Sequence, residues 1–328
     1  MEPSRALGEK YEVLRQVTAA TSNRRVNIGS KGKCRFCGNA NPDLFRTIAH
    51  TFPESLGNKW VISLDECDLC NQLFSAYDDS LATAVSAIST LGGVRGKENK
   101  IRQTGRTAGN EILRRFEQSG KPRISIIAKG YDFREIINFD PESNVLLLKA
   151  PLPPVRFRPR FAYKALAKMG VALLPDSELG HYRKLRKWLL DKEDSEFFTY
   201  LEVGLSFTSL GNSPDLVAGT LLRRMDPKAP VPHIIFLFSA GSVCFQLDLM
   251  SDELENHLPP VPMGTLSINY SNVIRGGGDR SVTFSYGKPI HMDWSSKDLS
   301  LQPIESLLLR FNLRTNEGRF FPIFRAQS

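Results

Sequence analysis

The chain has 328 residues, enough for one large domain or two ordinary ones, each able to bury its own core. Apolar content of 41% and charged content of 24% are near the averages for soluble globular proteins, and no apolar run is long enough to cross a bilayer. Residues Met1–Lys10 lack the apolar core of a secretory leader, so the expected compartment is the cytoplasm, and the net charge of +8 suits a polyanionic partner without requiring one.

In chain order, Leu7, Tyr11, Leu14 and Val17 recur at helical spacing and predict a short amphipathic helix over residues 4–20. A cysteine-bearing unit follows over 30–93. Within it, Leu44–Thr51 and Lys59–Leu64 read as strands, Phe52-Pro53 and Leu56-Gly57-Asn58 as the loop between them, and Asn71–Leu91 as a helix stopped by Gly92-Gly93. Residues 94–122 are basic, with a predicted helix over Asn110–Gln118. Beyond them, strands are predicted at Arg123–Lys129, Val145–Ala150, Tyr200–Phe207, His233–Ala240, Ser242–Leu247, Thr265–Tyr270 and Ser281–Tyr286. Helices are predicted at Phe161–Leu174, Glu178–Leu190 and Ile304–Phe311. The expected fold class is α+β, with a small metal-stapled unit over 1–118 and a larger mixed domain over 119–328.

Four of the five cysteines form two C-x-x-C pairs, Cys34/Cys37 and Cys67/Cys70. In a reducing compartment such pairs read as metal knuckles, and four thiolates suit a tetrahedral structural zinc ion. Cys37 and Cys67 are separated by 29 residues, longer than a plain ribbon needs, and the insert holds His50. A unit this small cannot hold a hairpin rigid by its core alone, so zinc would supply the missing stability. Cys244, in an apolar run, reads as an inert core residue.

The string CRFCGNANPDLFRTIAHTFPESLGNKWVISLDECDLCNQLFSAYDD (34–79) resembles the HNH, or ββα-metal, endonucleases in their variety with two C-x-x-C knuckles, over roughly residues 34–82. The resemblance implies strand, loop, strand and helix, and cleavage of phosphodiester bonds with Mg²⁺ or Mn²⁺. His50 would be the general base, an apt role for an imidazole with an ordinary pKa near 6.5. Asn71 would bind the catalytic metal. Asn58 is the candidate for the asparagine that orients the histidine through its carbonyl. One position departs: many relatives carry an Asp or Glu before the histidine, where this chain has Ala49. Glu54, Asp78 and Asp79 are the nearest carboxylates able to replace it, the last two also being ordinary acids of a solvated helix face.

Two basic runs flank the motif: Arg24, Arg25, Lys31, Lys33 and Arg35 before it, and Arg95, Lys97, Lys100 and Arg102, continued by Arg106, Arg114 and Arg115, after it. They are candidate contacts to a nucleic-acid backbone, DNA before RNA. His181, His233, His257 and His291 have no partner at ligand spacing, and Arg275–Arg280 reads as a hairpin loop. The expectation is a metal-dependent DNA endonuclease restrained or targeted by residues 119–328 through a ligand or protein partner, an arrangement that suits an anti-phage effector. The alternative is a zinc ribbon that binds nucleic acid or protein without cutting.

Overall fold

The computed structural model describes residues 10–19, 24–106, 111–119, 121–127, 132–193, 195, 201–208, 216–251, 253–255, 271–275, 281–285, 287–315 and 317–324. The strand expected at Thr265–Tyr270, His257, the start of the first predicted helix and most of the Arg275–Arg280 loop lie outside them.

The N-terminal part contains β1 (Tyr11–Thr18), β2 (Val26–Ile28), β3 (Ala49–His50), β4 (Val61–Ser63) and helices α1 (Asp68–Ala84) and α2 (Ser86–Gly92). Next come β5 (Thr104–Arg106), β6 (Glu111–Gln118), β7 (Lys121–Ile127), α3 (Phe133–Ile136), β8 (Ile137–Asp140), β9 (Val145–Pro151) and β10 (Arg156–Phe157). Two helices follow, α4 (Pro159–Leu173) and α5 (Arg183–Leu190). The rest is strand: β11 (Glu202–Phe207), β12 (Val217–Arg224), β13 (Ile234–Ala240), β14 (Val243–Leu249), β15 (Ser271–Arg275), β16 (Ser281–Ser285), β17 (Ile290–Asp293), β18 (Ser300–Leu301), β19 (Ile304–Asn312) and β20 (Glu317–Phe324).

Among the described residues the largest sheet has six strands in the order β1-β12-β13-β14-β11-β17, each antiparallel to its neighbours. Its four inner strands are almost continuously buried, so they read as apolar runs rather than alternations. Helix α4 covers this sheet through β12 and β14, and α1 packs along the outer side of α4. Sandwiched this way, α4 buries residues all round its circumference. One apolar core therefore runs from the cysteine unit through α4 into the sheet. Phe52, two residues past His50, meets Phe238 of β13 with ring centroids 5.2 Å apart. Gly219 of β12 permits this approach, because a Cβ there would lie 2.6 Å from the Phe52 ring.

Three predicted helices are strands in the structure. Residues 11–18 pair with β12, and a register shift between Val13 and Arg15 breaks the two-residue alternation, so that Tyr11 packs with Leu222, Ile235 and Leu237 while Val17 joins the main core. That bulge mimics a helical stripe. Residues 111–118 pair with both β5 and β7 instead of forming the helix over Asn110–Gln118, and Ser119, with φ of 53°, stands in the turn to β7. Residues 304–311 form the middle of the sheet β20-β19-β9-β8, where ladder bonds on both sides outweigh the helix propensity of Leu307–Leu309.

Candidate functional site

The knuckles are set by local turns. The Cys34 N–H bonds Asn39 O at 2.7 Å, and the Gly38 N–H bonds Cys34 O at 2.9 Å. The second pair straddles the start of α1, with Cys67 at the N-cap and Cys70 in the first turn. The Asp68 carboxylate accepts from the backbone just before β3, from the Thr47 N–H at 3.0 Å and the Arg46 N–H at 3.2 Å, which ties the approach to β3 to the helix start. The four Sγ atoms all lie within 4.8 Å of one another, with Cys34–Cys70 at 3.7 Å and Cys37–Cys67 at 3.6 Å. Zn–S bonds of about 2.3 Å in a tetrahedron need S–S edges of about 3.8 Å, so the donor set fits that ion. Hydrogen bonding with Cys70 draws the Cys34 thiol below its ordinary range. The Cys67 N–H points at Cys34 Sγ at 3.5 Å.

His50 lies on the two-residue strand β3, opposite Ile62 of β4, half-buried. Burial lowers its pKa below the ordinary value; Glu54 acts to raise it, and Lys168 and Arg25 lower it further. Asn71 is half-buried in the first turn of α1, its N–H bonded to Cys67 O. Glu54 opens a turn in the β3–β4 loop, and Asp79 is exposed on α1.

Several predicted residues are engaged elsewhere. Asn58 is buried and braces its own loop: Nδ2 donates to Phe52 O (2.8 Å) and Val61 O (2.9 Å), while Oδ1 accepts from the Val61 N–H (2.9 Å). Its carbonyl is thus occupied by backbone and not by His50. Asp78 turns toward Lys168 of α4, at 3.9 Å. Arg35 is buried instead of facing a ligand, with Nε on Asp65 (2.8 Å), Nη1 on Leu174 O (2.6 Å) and Nη2 on Asp176 (3.1 Å). Its place in a basic run gave no hint of this, because the partners come from 30 and 139 or more residues away.

Arg24, Arg25, Lys31, Lys33, Lys97, Lys100 and Arg102 are at least partly exposed; Arg95 is half-buried and bonds Asn99 O. The stretch 95–101 folds back on itself and packs on the loop after His50: a Cβ on Gly96 would lie 3.3 Å from Ser55 Cα, and Lys59 Nζ reaches Asn99 Oδ1 at 2.6 Å. Beside it lies an open cleft of about 330 Å³ lined by Arg102, Arg114, Arg115 and Phe116. Phe116 is 45% exposed there. The hairpin that forms this cleft was hidden by the expected helix, although the Ser119-Gly120 dipeptide between two strand-like runs is a turn signal.

The other described histidines pair with carboxylates: His233 with Glu178 at 3.2 Å, His291 with Glu202 at 2.8 Å and His181 with Glu253 at 3.5 Å. Among the described residues the four cysteines are the single cluster of three or more candidate metal ligands, and no helix is long and apolar enough to cross a membrane.

A short hairpin, two knuckles closing a tetrahedron and a helix that starts between the last two cysteines define the ββα-metal class. Residues 34–83 match the family model described as HNH endonuclease, and the chain carries an HNH domain there. No curated protein and no solved structure matches the chain.

Proposed function

We propose that this protein is a metal-dependent HNH endonuclease that hydrolyses phosphodiester bonds in DNA. The observation that carries the reading is the placement of His50 on the strand beside four cysteines at tetrahedral spacing, inside the stretch that matches the HNH family. Cys34, Cys37, Cys67 and Cys70 would hold a structural zinc ion. In the reaction, a neutral imidazole nitrogen of His50 takes a proton from the attacking water. Its lowered pKa keeps it unprotonated at neutral pH. Asn71 and Glu54 would hold Mg²⁺ or Mn²⁺ through their side-chain oxygens, the donor type a hard cation prefers. Such an ion supplies charge stabilisation for the pentacovalent phosphate and the leaving oxygen. Lys97, Lys100 and Arg102 hold the backbone, and the exposed ring of Phe116 offers a stacking surface for a base beside the Arg102/Arg114 cleft. Residues 119–328 restrain or target the cut by binding a ligand or another protein, as a host-sparing effector, including an anti-phage one, requires.

One observation favours a second reading. Ala49 is 1% exposed and supplies no carboxylate beside His50, so the unit could bind nucleic acid or a protein without cutting. Incubation of the full chain with supercoiled plasmid or RNA in Mg²⁺, Mn²⁺ or EDTA separates the two. Metal-dependent nicking absent from His50→Ala supports the nuclease; binding with no cleavage under any metal supports the second reading.

A further inference from the structure

Helix α4 lies more than a hundred residues beyond His50 in sequence, yet it reaches the strand that carries it. Lys168 Nζ donates to the His50 backbone carbonyl at 3.0 Å. The same ammonium faces Glu66 at 3.5 Å and Asp78 at 3.9 Å, and lies 5.8 Å from the centre of the Phe74 ring. The Lys168 and Glu66 side chains are 1% and 0% exposed, and Asp78 retains 22%. At 3.5 Å the Glu66 contact is an ion pair and not a formed hydrogen bond, and both Glu66 oxygens lack hydrogen-bond partners. Thr51 Oγ1 and Ser63 Oγ, beside β3 and on β4, are also buried without partners.

A buried lysine is costly unless paired, and an apolar side chain at 168 would pack between α1 and the sheet with less desolvation. The position thus carries an ammonium despite that cost, and its one close hydrogen bond goes to His50. Strand β3 has only two residues, so few ladder bonds fix the orientation of that peptide. Held from below by Lys168, the His50 backbone cannot rotate without breaking a charge-assisted bond in a dry site.

We infer that Lys168 is a positioning residue for His50, so that helix α4 of the second half completes the nuclease site. The inference rests on the reading of His50 as the general base. Its consequence is that any ligand or partner that shifts α4 against α1 would act directly on His50, with no separate relay needed. The charged groups that face His50 are Glu54 from its own loop, Arg25 from the segment before β2 and Lys168 from α4.

The test uses the full chain, because the core is continuous between the two halves. Plasmid cleavage in Mn²⁺ across a pH series is compared for wild type, Lys168→Met and the double variant Lys168→Met/Glu66→Gln, which removes the buried pair together and keeps its volume. Zinc content, melting and DNA affinity in EDTA identify the variants that remain folded. In a folded variant, kcat should fall about 10–100-fold with KM and DNA affinity unchanged. The acid limb of its pH–rate profile should move to higher pH, since a cation facing His50 is gone. A folded variant with wild-type kcat and an unmoved limb overturns the proposal, as does a loss confined to DNA affinity. If neither variant folds, Lys168→Arg is assayed for kcat and KM: a lowered kcat at unchanged KM supports positioning, and a wild-type rate overturns it. A wild type that cuts under no metal overturns the nuclease reading and this inference with it, whereas an active wild type and unaltered variants overturn this inference alone.

Discussion

The cysteine cluster and His50 lie in the same fifty residues but are supported in opposite ways. The four thiolates come from two tight turns and one helix start, all within residues 34–70. His50 is supported from outside that stretch: Lys168 of α4 holds its carbonyl, and Phe238 of β13 backs Phe52 two residues on. The first is a local device, self-contained and closed; the second is tertiary. A metal staple makes a short segment rigid, but the orientation of a base on a two-residue strand depends on what packs beneath it.

This difference can be broken at either end. The largest effect is expected at the cysteines. A structural zinc site contributes about 10–16 kcal/mol of apparent folding free energy. Cys34→Ser, or a strong chelator, should therefore abolish cooperative melting of the HNH unit and release the ion, as read by calorimetry and a zinc indicator. Retained melting with no metal would assign the knuckles a lesser role.

Next in size is Arg35. Its guanidinium joins the first knuckle to Asp65 and to the C-terminal end of α4 at Leu174. Removing one partner of a buried pair costs about 3–5 kcal/mol. Arg35→Ala should lower stability by that amount in urea titration without changing the salt dependence of DNA binding, separating Arg35 from the exposed bases of the same run.

A smaller effect concerns protons. Burial, then Lys168 and Arg25, lower the His50 pKa, against the opposing charge of Glu54. The protonated imidazole cannot act as base, so cleavage should rise as pH climbs through that value. The acid limb of kcat/KM should thus lie below the ordinary histidine value of about 6.5, and Arg25→Gln, which removes a cation facing His50, should move it higher. A limb above pH 7 would contradict the assignment.

The smallest effect is at the surface. Lys97, Lys100 and Arg102 are exposed on or beside the fold that packs on the His50 loop. Replacing all three by Ala should leave melting within about 0.5 kcal/mol and flatten the salt dependence of DNA binding by about 0.9 per lost phosphate contact.

The same division explains what could be read from the sequence. The knuckles were legible because metal chemistry dictates residue type and close spacing, and the hairpin and helix followed from the loop residues between them. Lys164 and Lys168, four apart on one helix, carry nothing in the sequence that marks them as buried, because their partners come from distant chain: Asp191 O for the first, Glu66 and Asp78 for the second. Residues 11–18 and 304–311 imitated helices because a register shift in each strand breaks the two-residue alternation. Asn58 has the residue type of a catalytic asparagine, but its side chain is spent on its own loop, which no spacing argument reveals.

Whether His50 is the base of a phosphodiesterase is read from the cleavage rate of His50→Ala in the full chain, at neutral pH and saturating Mn²⁺. The expected result is a loss of about 10²–10⁴-fold with zinc content, melting temperature and DNA affinity unchanged. A folded, zinc-loaded His50→Ala protein that cuts at the wild-type rate would contradict it.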